Sequence, residues 1–145
     1  MQIINEARSW IGTKFKHQGR IKINVKDAGG CDCLGLILGL GIKTNTGINL
    51  QDFDIRNYPK LLTSNILLEQ LNLLLEPAEK LQPGNIILLK VNNWPQHLAI
   101  VTAVDPYITI IHSYLQAGKV LEQYLPEQWK KDIIAVYKIN AAEQS

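Results

Sequence analysis

Asp32-Cys33-Leu34 stands between Gly29-Gly30 and the apolar run Gly35-Leu36-Ile37-Leu38. A cysteine there sits where a glycine-rich turn becomes a helix, with the N–H groups of the first turn directed at its sulfur. That field favours thiolate over thiol, and the thiolate is the nucleophile. His97 and His112 lie far downstream in segments that read as strands. One cysteine with remote histidines is the sequence pattern of nucleophilic thiol–imidazole catalysis. Each residue also has a plainer reading: the cysteine as a small buried residue at a helix start, the histidines as satisfied core residues. Cys31 is read as non-catalytic, because only one of the pair can occupy the helix start.

These residues need elements to hold them. Ile3, Ile4, Ala7, Trp10 and Ile11 recur at helical spacing, which predicts a helix over 2–11 with Gly12 as its stop. Thr13 to Gly30 has no clean period and reads as a long irregular loop. A second helix is predicted from Asp32, a good N-cap, to Gly39 or Gly41. Gly35 and Gly39 lie on one face of it, where a neighbouring backbone can approach closely. Leucines over 61–75 predict a third helix, with Glu69, Gln70 and Asn72 outside. Residues 44–60 are polar and turn-rich.

Strands dominate the remainder. Pro83-Gly84-Asn85 is a turn before an apolar strand at 86–91, and Asn92 to Pro95 reads as the connection to a strand at 97–104. Further strands are predicted at 107–113, 118–124 and 133–139. Helices first and strands later indicate an α+β fold, N-terminal helices packed on a C-terminal antiparallel sheet, in one domain over 1–139 with a frayed tail at 140–145. With Asp105-Pro106 as a two-residue turn, Ala99 faces His112 and His97 lies one diagonal step away. Diagonal neighbours are about 7–8 Å apart, within reach of two imidazoles. Alternation puts His97, Ala99, Val101 and Ala103 on one face, whose small residues would admit the glycine-bearing helix.

Chemistry assigns the roles. Cys33 attacks a carbonyl carbon, His97 takes its proton and returns it to the leaving amine, and His112 orients His97. The Cys33 N–H is the natural oxyanion donor.

Composition limits the alternatives. Hydrophobic residues make up 46% of 145, ordinary for a globular domain, and the formal charge of +2 argues against a nucleic-acid partner. Cys31 and Cys33 do not form a disulfide framework, and the histidines at 17, 97 and 112 lack metal-ligand spacing, so no metal or other cofactor is expected. No apolar run approaches the ~20 residues of a membrane span. The first residues lack a secretory signal, so synthesis in the cytoplasm is expected, with a separate vehicle for any role outside.

The ordered set Trp10-Ile11-Gly12-Thr13-Lys14-Phe15, Gly30-Cys31-Asp32-Cys33-Leu34-Gly35-Leu36, Leu81-Gln82-Pro83-Gly84-Asn85-Ile86, Gln96-His97-Leu98-Ala99-Ile100 and Ile111-His112-Ser113 resembles the NlpC-type cysteine peptidases of the papain-like superfamily. His17-Gln18-Gly19-Arg20 with Cys31-Asp32-Cys33 is most similar to their phage cell-wall branch. The resemblance implies a papain-like NlpC-type fold and hydrolysis of an amide bond in the peptidoglycan stem peptide. It also implies phage tail-tip proteins as partners and a virion- or tail-associated location. Lys14 and Phe15 replace the family's proline and tyrosine, leaving His17 as the candidate to assist the oxyanion hole. Phe15, His17, Arg20 and Asp32 are the expected substrate-binding residues, with Arg20 as a clamp for stem-peptide carboxylates. Asn85 stands in place of a family aspartate. A non-catalytic tail-tip or assembly protein, and an acyltransferase or amidase on the same scaffold, are the other readings.

Overall fold

Ile3, Ile4 and Ala7 form the buried face of the first helix, α1 (Gln2–Arg8). The computed structural model describes residues 1–139; the expected tail at 140–145 lies outside the described residues. Helix α1 ends earlier than its spacing predicts because the chain beyond it is captured by a strand. Gly12 N donates to Val120 O, Val120 N to Thr13 O and Phe15 N to Gly118 O, each at 2.9 Å. Trp10 stays buried, its indole N–H on the Glu6 carboxylate.

The expected irregular loop carries a hairpin. β1 (Arg20–Ile21) pairs antiparallel with β2 (Gly30–Cys31), and the Asp27 carboxylate accepts Gly29 N to shape the turn between them. Strands of two residues are too short to show a period, so alternation could not reveal them.

Helix α2 (Cys33–Leu38) starts as predicted: Asp32 is its N-cap, accepting Gly35 N at 2.8 Å, and Gly39 ends it. A methyl group at Gly35 would collide with the Gly19 carbonyl oxygen, so a backbone does pass close there, whereas at Gly39 it would meet the Trp10 ring. Leu50–Phe53 forms a 3-10 turn. Helix α3 spans Ile66–Leu74 and buries Leu67 and Leu71. It begins later than the leucine pattern predicts, after Ser64, whose hydroxyl accepts Ile66 N, and Asn65.

The sheet holds β3 (Glu76–Pro77), β4 (Ile86–Val91), β5 (Trp94–Ala103), β6 (Thr109–Tyr114), β7 (Lys119–Tyr124) and β8 (Ile133–Lys138). All pairings are antiparallel, in the order β3-β8-β4-β5-β6-β7. The α+β reading therefore holds. β5 starts at Trp94 instead of His97 because Asn92 and Asn93, with φ of 52° and 69°, close a tight hairpin in the left-handed region that asparagine tolerates. The β5–β6 turn is longer than the expected two residues: the register slips by one between Val101 and Ala103, leaving 104–108 as the connection. Nearer the histidines the expected register is kept, with Ile100 opposite Ile111.

One sheet face, with Leu88, Leu98, Ile100 and Ile111, packs on the three helices. Ile87, Leu89, Ala99, Val101 and Ile110 form a second apolar cluster on the other face, joined by Trp129 from a 3-10 turn at Glu127–Asp132. This corrects the expectation for α2, which lies against the larger residues Leu98 and Ile100 and not on the His97–Ala99–Val101 face. No helix among the described residues is long and apolar enough to cross a membrane.

Candidate active site

The helix and the histidines meet where the sheet parts. β5 pairs with β4 from its start, but its pairing with β6 begins only at Ile100. Val101 N donates to Asn85 O on the β4 side, so alternate residues such as Gln96 and Leu98 present their backbone groups toward β6. The start of α2 fills this opening. Cys33 Sγ donates to Gln96 O at 3.5 Å and receives the N–H groups of Leu98 and Leu34.

The sulfur's environment reverses the expectation from the helix start. Burial first, then the Asp32 carboxylate, push the Cys33 thiol up to about 12, and the two backbone donors only partly oppose this. The Cys33 thiol therefore rests neutral, and attack by its sulfur would require a base.

His97 supplies one. Its Nε2 lies 2.7 Å from Nδ1 of His112, across the parting of β5 and β6. Burial, reinforced by His112, lowers the His97 imidazole to about 3, and burial lowers His112 as well. Both rings are neutral at pH 7. His112 is fully buried, with Tyr114 stacked at 4.9 Å and the Trp129 edge at 5.8 Å. Its Nε2 lies 2.8 Å from Gln123 Oε1.

Around Asp32 the polar groups are closely matched. Its carboxylate accepts from Gly35 N, Gln18 N, the Arg20 guanidinium and the Tyr58 hydroxyl. Burial and the Asp32 contact raise the Tyr58 pKa, so the phenol remains a donor. Arg20 also grips Asp54 and the Gly19 carbonyl and is only 13% exposed. This departs from its expected use as a substrate clamp: the guanidinium faces the protein's own carboxylates. Tyr58 belongs to a strap roofing the site. His17 Nε2 and Gln18 Nε2 lie 3.0 and 2.9 Å from Tyr58 O, while the Gln96 amide accepts Leu62 N and donates to Lys60 O. The strap is thus tied to Asp32 and Gln96, the residues just before Cys33 and His97.

Beneath it runs a cleft of about 520 Å³ lined by Phe15, His17, Asp32, Cys33 and His97 among others. His112 stands behind His97, and Arg20 behind Asp32. Cys31 is fully buried, its thiol pushed up to about 11 chiefly by burial. Among the described residues no histidine, cysteine and acid cluster could hold a metal ion. Sequence reasoning missed Tyr58, Gln96, Trp129 and Gln123. For Gln123 a signal existed: with His112 opposite Leu121, the diagonal step that joins the histidines also joins His112 to Gln123.

No protein-family profile and no curated protein sequence matches the chain. Solved structures do. The P60 domain of an antigen from M. avium subspecies paratuberculosis superposes with a TM-score of 0.51 at 15% identity, covering 94% of this chain and 90% of that one. An N-acetylmuramoyl-L-alanine amidase from Bacteroides uniformis ATCC 8492 gives 0.51 at 14% identity, covering 94% and 96%. In fold, over nearly its whole length, the chain is similar to these two proteins.

Proposed function

We propose that the chain is a cysteine peptidase that hydrolyses an amide bond in the stem peptide of peptidoglycan. The observation that carries this is the convergence in one cleft of Cys33, at the first position of α2, with a base held by a second buried histidine. The thiol proton passes to His97 as sulfur forms a bond to the carbonyl carbon. The Cys33 N–H, at a helix start whose first donors lack intrahelical partners, faces the developing oxyanion. Collapse breaks the C–N bond, with the proton returned from His97 to the amine. Water, deprotonated by the same imidazole, then cleaves the thioester. The name of the amidase neighbour supports wall chemistry and favours a second reading, cleavage between the muramoyl group and L-alanine. Carriage by a phage-like particle belongs to the proposal, supported by the resemblance of His17 to Cys33.

Digestion of purified peptidoglycan, with the fragments identified by mass spectrometry, tests both readings. The protein is expected to release fragments with new amine ends inside the stem; free L-alanine amine ends instead favour the amidase. Cys33→Ala and His97→Ala release none. His112→Ala retains a residual rate, reduced by up to about 10⁴-fold as for other orienting residues. Equal release by Cys33→Ala overturns the proposal. Particles from an induced culture, probed for the chain, test carriage; its absence from tails removes that part.

A further inference from the structure

Two histidines 2.7 Å apart can pass a hydrogen bond in either direction, and only one direction leaves His97 able to act as a base. Gln123 distinguishes them. Its amide is oriented by its own neighbour: Nε2 donates to the Tyr124 carbonyl at 3.3 Å, and a carbonyl can only accept. Oε1 is therefore the atom facing His112 Nε2, at 2.8 Å. An amide oxygen has no proton to give, so His112 Nε2 must carry one. Its Nδ1 is then a lone pair, which accepts from Nε2–H of His97 and leaves His97 Nδ1 unprotonated.

We propose that Gln123 is a positioning residue that sets the direction of the two-histidine relay and makes Nδ1 of His97 the proton acceptor. Its reach runs diagonally across β5, β6 and β7. Once His97 holds the thiol proton, the relay already points the right way: imidazolium Nε2–H to His112, His112 Nε2–H to the Gln123 oxygen. No proton has to move along the relay. Of the titratable groups nearby, the Tyr114 phenol stacks on His112, while the Cys33 thiol from α2 and the Asp132 carboxylate line the same cleft as His97. None of these makes a hydrogen bond to either imidazole.

Imidazole ¹⁵N NMR on the intact chain at neutral pH reads the relay without reference to any substrate. Both His97 and His112 are expected as Nε2–H tautomers in the wild type, with mixed tautomers in Gln123→Leu. Gln123→Glu, which keeps an acceptor and adds charge, preserves the wild-type tautomers. The kinetic arm rests on the peptidase reading. Gln123→Leu lowers kcat about tenfold, the scale of one hydrogen bond, with KM unchanged. Gln123→Glu moves the acid limb of the kcat/KM profile to higher pH. An Nδ1–H tautomer at either histidine in the wild type, or unchanged tautomers and profile in Gln123→Leu, overturns the inference. Inactivity of the wild type on every wall substrate counts against the peptidase reading, and the NMR result then still decides the role of Gln123.

Discussion

At the scale of single residues the Cys33 thiol is governed by burial more than by the helix start. Cys33 is half-buried and pushed up to about 12, while Cys31 is fully buried with its thiol near 11. Access therefore decides which reacts first, and pH decides how fast. Limiting iodoacetamide followed by peptide mapping is expected to label Cys33 before Cys31, slowly at pH 7 and faster up to pH 10, without a plateau near neutrality. Earlier labelling of Cys31, or a rate independent of pH, would contradict this account. Cys33, His97 and His112 were legible because each sits on a local pattern, a capped helix start or an alternating strand. Asp32 was legible as a cap, but its effect on the thiol depends on how closely the sulfur is enclosed. That enclosure comes from Gln96 and Leu98, more than 60 residues along the chain. Tyr58 carries no local signal, and the diagonal signal at Gln123 can be read only once the strand register is known.

Among the elements, α2 is well marked in the sequence by its Asp32 cap and is tightly packed at Gly35. Gly35 lies beneath the Gly19 carbonyl, in the segment that also presents Arg20 to Asp32. Gly35→Ala would gain up to about 1 kcal/mol in helix propensity. Backbone contact outweighs that gain: a net loss of about 1–3 kcal/mol is expected in urea denaturation, the range of overpacked cores. A stabilised variant would mean that the Gly19 segment yields readily. The long strands from 86 onward were legible because alternation and turn residues agree there. The start of α3 was misjudged because Leu61 and Leu62 continue the leucine pattern while belonging to the strap. Gln96 holds their backbone there and so competes with the helix. Short β1, β2 and β3 exist through pairing alone, and no periodicity could announce them.

Across the whole molecule, a polar relay is built into a sheet with an apolar cluster on each face, and this couples the candidate site to folding. Unfolded imidazoles take up protons near pH 6.5. Burial keeps both relay histidines from doing so in the native state, His97 down to about 3. The unfolded chain therefore binds more protons below that pH, and stability must fall on acidification. The stability contributed by neutral His97 is present in full above pH 6.5 and is lost progressively as pH drops toward 3. For His97 the slope approaches about 1.4 kcal/mol per pH unit within that window, and His112 adds to it in the same direction. Glu122 adds a later loss: its hydrogen bond with Arg8 lowers its pKa, so that contribution disappears only as pH falls through the acidic range. Urea denaturation of the wild type at half-unit steps from pH 8 to 5 isolates the histidine window. Stability is expected to be level above pH 7 and to decline below about 6.5. His112→Gln, which removes one of the two uptake sites while leaving an amide able to bond Gln123, should decline less steeply. A flat wild-type profile down to pH 5 would show that the relay takes up protons in the folded state, and that the neutral base required of His97 is not how the site rests.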